Sequence, residues 1–126
     1  MNKEIHFCEI CGTSYAEDHH IVFKSECKPL DKCYFNHAYL CGYHHRDHRA
    51  GAHFNKELNL KLKLRVKAKL EELFNKETYT TTEIKDKLKI SYGACKSLCK
   101  LMTSHVGLYK REDIIHVCMG KCKGVW

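Results

Sequence analysis

The rhythm of apolar positions along the 126 residues changes near residue 55. In the stretch 56–75, Leu58, Leu60, Leu62, Leu64 and Val66 alternate with polar residues, as in a half-buried strand. The same stretch is dominated by Lys, Leu, Glu, Ala and Arg, all strong helix formers. Leu58, Leu62, Val66, Leu70 and Leu73 also fall on one helical face at steps of four and three. No Gly or Pro interrupts the chain between Gly51 and Gly93. The long unbroken run predicts a helix rather than a strand. Thr80 and Glu83 have the spacing of a capping box, so a short helix through Leu88 should follow, with Ile84 and Leu88 facing inward. Lys89-Ile90-Ser91 reads as a tight turn with Ser91 as the next N-cap. Cys95, Leu98, Cys99 and Met102 recur at i, i+3, i+4 and i+7 and mark a second amphipathic helix. Two short helices joined by a brief turn have the outline of a helix-turn-helix. A further helix is expected from near Lys110, carrying Ile114, Ile115 and Cys118 inward.

Composition divides the chain at the same place. Residues 1–55 are rich in Cys and His and contain the only proline, Pro29, whereas residues 56–126 form a basic, helical segment. The length fits one domain or one compact unit with an appendage, and the smaller half has too little core to stand without help such as a metal. The formal charge of +7 favours an anionic partner. Its distribution is uneven: residues 1–55 hold six Lys or Arg against seven Asp or Glu, and residues 56–126 hold sixteen against eight. Tyr92, Lys96, Ser97 and Lys100 lie away from the apolar stripe of their helix. That face suits either a DNA major groove, with Lys96 and Lys100 as nucleic-acid contacts, or plain solvent. The nine cysteines are odd in number, several sit at metal-ligand spacing, and the N-terminus carries no apolar run of signal-peptide length. A reducing, cytoplasmic setting is therefore expected, with no membrane partner.

Cys8-x-x-Cys11 and Cys41-x-x-His44 form two knuckles whose four ligands match a closed tetrahedral zinc site. Such a site would tie together the ends of a segment with little core of its own, contributing to folding rather than chemistry. Cys27 and Cys33 are read as packing or loop residues, and Cys95 and Cys99 as core. Cys118 and Cys122 have no second knuckle to accompany them. His6, His37, His105 and His116 are read as ordinary surface or core histidines.

Between the knuckles lie His19-His20-Ile21-Val22-Phe23, then Asn36 shortly before Leu40-Cys41, then His44-His45-Arg46 and Gly51-Ala52-His53. These pieces, in this order, resemble the HNH (ββα-metal) endonuclease family, in particular the small zinc-knuckle versions common in bacteriophages. The resemblance covers residues 8–54, a little under half the chain. It implies an α+β fold: a ββα-metal core on a structural zinc, followed by the mainly helical C-terminal segment. It also implies a DNA endonuclease in which His19, His45 and a later histidine bind a catalytic divalent cation (Mg²⁺, Mn²⁺, Ni²⁺ or Zn²⁺). His20 would be the general base and Asn36 would hold its loop. His53 is the expected third ligand, with His48 the alternative. The family usually has Cys where His44 sits, which leaves open whether His44 or His45 belongs to the structural zinc. If phage-encoded, the protein would work in the bacterial host's cytoplasm.

The chemistry suits these groups. An imidazole can take a proton from water near neutral pH, and a divalent cation can polarise a phosphodiester and stabilise the departing oxygen. Adjacent histidines in an extended segment point to opposite faces, so one can bind metal while the other faces water. Arg46 and Arg49 are candidate phosphate contacts, because guanidinium pairs with phosphate oxygens bidentately. The alternative from another class is a catalytically inactive, zinc-stabilised DNA-binding or inhibitory protein with an HNH-like shape. The presence of both His20 and Asn36 favours the enzyme. A redox or metal-handling protein would explain neither the order of the motifs nor the basic second half.

Overall fold

The computed structural model describes residues 5–47, 51 and 55–120. The fold is α+β, with two two-stranded sheets and five α-helices among the described residues. Strands β1 (Glu17–His20) and β2 (His37–Leu40) pair antiparallel, with His19 opposite Ala38 and His20 opposite His37. A loop containing a short 3-10 turn, Lys28–Leu30, joins them. Helix α1 (Gly42–Arg46) starts directly on Cys41, whose carbonyl accepts from the backbone N–H of His45 at 2.8 Å. The order near the cysteine knuckles is thus strand, strand, short helix.

Helix α2 spans Lys56–Leu73, so the helical reading of this run prevails over the strand-like alternation. Leu62, Val66 and Leu70 are buried, while Leu60 and Leu64 point to solvent, as a 3.6-residue period demands. Asn55 caps the helix by accepting from the backbone N–H of Leu58. Helix α3 (Thr81–Leu88) opens on the expected capping box: Glu83 N–H donates to Thr80 Oγ1 at 3.2 Å and Thr80 N–H to Glu83 Oε1 at 3.0 Å. Lys89 ends it in the left-handed region, and Ser91 caps α4 (Tyr92–Lys100) through the Ala94 N–H. Helix α5 (Arg111–Cys118) buries Ile114, Ile115 and Cys118. Two very short strands, β3 (Thr78–Tyr79) and β4 (Tyr109–Lys110), pair antiparallel ahead of α3 and α5.

The buried apolar side chains form one cluster drawn from both sides of residue 55. Ile21, Val22, Leu30 and Leu40 share it with Leu62, Val66, Phe74, Ile84, Leu98 and Met119. Cys27, Cys33, Cys95, Cys99 and Cys118 also lie in it. Polar contacts cross the same boundary: the Cys33 thiol donates to the Leu88 carbonyl at 3.4 Å, Lys63 reaches Glu26 at 2.7 Å, and Arg65 reaches Glu9 at 3.3 Å. No described helix is long and apolar enough to cross a membrane.

Candidate functional site

Helical spacing brings Cys41 and His44 to the same side of α1, and the turn at 8–11 brings Cys8 and Cys11 opposite them. The donor atoms of Cys8, Cys11, Cys41 and His44 lie within 4.8 Å of one another. Cys11 Sγ is 3.7 Å from Cys41 Sγ, and His44 Nδ1 is 3.3 Å from Cys41 Sγ and 3.6 Å from Cys8 Sγ. A tetrahedral zinc with bonds of about 2.3 Å to sulfur and about 2.0–2.1 Å to nitrogen has edges of roughly 3.8 Å (S to S) and roughly 3.6 Å (S to N). The three separations match those edges to within a few tenths of an ångström. The four residues therefore fit one tetrahedral ion, with His44 rather than His45 among the cysteines.

The thiols separate into two chemical groups. Burial works against ionisation of Cys8, yet backbone hydrogen bonds at Cys41, Cys11 and Ile10 and one from the Cys11 side chain outweigh it and bring Cys8 down to about 6. At Cys41 a backbone hydrogen bond at His44 favours the thiolate, but burial and the neighbouring Cys11 and Cys8 push the net shift upward. Burial pushes Cys27, Cys33 and Cys95 up to about 11, and it raises Cys118 well above the ordinary thiol value as well. These four remain protonated core residues.

His19 and His20 leave β1 on opposite sides. His19 is buried (1% exposed), and its ring meets that of His45 edge-on at 5.1 Å and that of Phe23 at 5.8 Å. His45 Nδ1 lies 3.2 Å from Glu17 Oε1, and the other oxygen of Glu17 holds Arg46. Arg46, expected at a phosphate, is thus paired with a carboxylate at the rim. His20 is half-buried, with Nε2 3.0 Å from Asp31 Oδ1, and Lys24 lies 3.8 Å from the other Asp31 oxygen. Asp18, His19, His20, Phe23, Lys24, Asp31 and His45 line one open cleft of about 550 Å³.

Asn36 sits beneath this cleft, fully buried. Its Oδ1 accepts from Val22 N–H at 2.7 Å, and its Nδ2 donates to the carbonyls of Val22 and Leu30, each at 3.0 Å. One amide thereby ties the residues just after His20 to the 3-10 turn that precedes Asp31. Glu26 pins the same loop from another side: Oε1 accepts from Phe23 N–H and Oε2 meets Lys63, whose ammonium also lies over the Phe23 ring.

Of the other expected site residues, Lys96 and Lys100 lie on the exposed face of α4 beside Tyr92 and Ser97. His48, Arg49, His53 and Cys122 fall outside the described residues. Sequence reasoning missed the carboxylates Glu17, Asp18 and Asp31, and it set His37 aside as a lone histidine. His37 Nδ1 lies 2.8 Å from Asp18 Oδ1, and its ring is 4.7 Å from that of His20. The signal that finds it is register, because the hairpin places His37 directly opposite His20. The only other group of three or more metal-capable side chains among the described residues is Asp18, His20 and His37.

Compared with family models, curated proteins and solved structures, the chain matches none.

Proposed function

We propose that the protein is a metal-dependent endonuclease of the HNH type that hydrolyses DNA phosphodiester bonds. The observation that carries this reading is the cleft that brings together His19, His45 and His20, with the two buried imidazoles on one side and the half-exposed one on the other. Imidazoles suit a divalent cation of intermediate softness. His19 and His45 would hold it, with His53 as the expected third ligand. When bound, the ion supplies charge neutralisation at the phosphate and at the departing oxygen.

The chain's own groups do the rest. His20 accepts the proton of the attacking water. Asp31 fixes the ring of His20 through Nε2. Asn36 ties the residues just after His20 to those just before Asp31, so His20 and Asp31 keep their separation while substrate binds. The Cys8/Cys11/Cys41/His44 clasp anchors the start of α1, from which His45 projects. The basic excess of residues 56–126, including Lys96 and Lys100, supports contact with the DNA backbone.

The test is nicking of supercoiled plasmid by purified protein supplied with Mg²⁺, Mn²⁺ or Ni²⁺. The expected result is cleavage that His20→Ala removes while tightly bound zinc stays near one per chain. Protein that retards DNA in a gel yet never nicks it, with any of the three ions, would replace this reading with that of a non-catalytic DNA-binding protein.

A further inference from the structure

The outward face of the β1–β2 hairpin carries a donor set of which the proposed reaction uses only His20. Asp18 and His20 are two residues apart on β1 and so share a face, while His37 stands directly across from His20 on β2. One ligand atom from each of the three lies within 4.8 Å of the others. His37 Nδ1 is 2.8 Å from Asp18 Oδ1, the two imidazole rings are 4.7 Å apart, and Asp31 Oδ1 is 3.0 Å from His20 Nε2. Asp18 is exposed and both histidines are partly so, leaving an ion an open approach. The cysteine clasp and the His19/His45 pair are built from other residues.

We propose that Asp18, His20 and His37 form a second binding site for a divalent transition-metal ion. Two imidazole nitrogens with one carboxylate match Zn²⁺, and also Ni²⁺ or Co²⁺, whereas Mg²⁺ and Ca²⁺ select oxygen ligands. Strands fix two of the three ligands opposite each other before any ion arrives, so little side-chain ordering remains to be done on binding. The effect on activity rests on the nuclease reading. An ion here occupies a lone pair of His20, so the site is inhibitory, and loading it withdraws the base from the reaction.

The experiment is equilibrium dialysis of the full chain, retaining its tight zinc, against graded Zn²⁺, with bound metal counted for the wild type, His37→Gln, Asp18→Asn and His45→Ala. His37→Gln and Asp18→Asn should each take up one ion fewer than wild type over the range in which the site fills. Their affinity for that ion should fall by more than the roughly 10–100-fold that loss of an outer-shell partner costs. His45→Ala should keep this ion. Asp18→Asn alters an exposed side chain, so it decides the matter if His37→Gln fails to fold. Uptake by His37→Gln and Asp18→Asn equal to that of wild type overturns the proposal. Because the readout is metal bound rather than DNA cut, loss of the nuclease reading leaves the expected counts unchanged. Where nicking is observed, micromolar Zn²⁺ added to a Mg²⁺ reaction should suppress wild type and spare His37→Gln, and equal suppression of both overturns the inhibitory role.

Discussion

Asn36 concentrates three hydrogen bonds on one buried amide, and nothing smaller can replace it. Asn36→Ala would leave the Val22 N–H and the carbonyls of Val22 and Leu30 buried without their partner. A buried polar group left unpaired costs about 1–3 kcal/mol, so a destabilisation on the order of 3 kcal/mol is expected from urea unfolding. A value below about 1 kcal/mol would mean that water takes over the vacated bonds. Cys8→Ser acts differently, since on the proposed reading it removes a ligand of a structural zinc. Zinc content should fall well below one per chain, and the far-UV circular dichroism should weaken even before activity is assayed. A folded, zinc-free and active Cys8→Ser protein would remove the clasp from its structural role. At this scale the sequence was informative where spacing carries the signal. The Cys and His of the two knuckles are legible because i, i+3 spacing alone brings each pair together. Asp31, Glu17 and His37 were not, because their positions depend on how the 21–36 loop folds back and on which residues the hairpin pairs.

Among the secondary-structure elements, α3 owes its start to Thr80 and Glu83. Thr80→Ala should cost about 1 kcal/mol, the usual value of an N-cap, measurable as a drop in unfolding free energy. Glu83 adds a pH dependence. The hydrogen bond from Lys76 first, and the backbone bond at Thr80 next, hold its carboxyl down at about 2. A depressed carboxyl contributes its stability above the unfolded-state value and loses it as pH falls through the folded one. Glu83→Gln should therefore lower the melting temperature at pH 7, with the gap narrowing from below about pH 4 and closing near pH 2. A gap that persists at pH 2 would trace the effect to the side chain's shape instead of its charge. Gly51 marks a close crossing of backbone: a Cβ there would sit 2.5 Å from the Asp47 nitrogen. Gly51→Ala should destabilise by about 1–3 kcal/mol, as overpacking does. Helices were readable at this level because α2 to α5 carry periodic apolar faces and caps. Strands β3 and β4, two residues each, are too short to show any period, and they pair across a long stretch of sequence that no local pattern records.

Across the whole molecule, one core draws on both halves of a chain whose composition splits in two. Burial of Lys63 inside α2 was not legible, because a helix pattern alone assigns lysine to solvent. Its acceptor, Glu26, belongs to the loop between β1 and β2. On the proposed reading, DNA affinity should fall steeply with salt. Replacing Lys96 or Lys100 with Ala should reduce the slope of log K against log salt by about 1 for each phosphate that the missing ammonium had neutralised. An unchanged slope in the double variant would assign that face of α4 to solvent.

The pair formed by Lys63 and Glu26 has a practical corollary for anyone rebuilding the protein. Exchanging the helical half for a foreign recognition module would remove the tether on the strip from Phe23 to Cys27, even with every clasp and cleft residue kept. A chimera would have to supply a cation at the same spot, or carry a neutral residue in place of Glu26. Without either, a stranded carboxylate would pull that strip toward water and loosen the floor under His20.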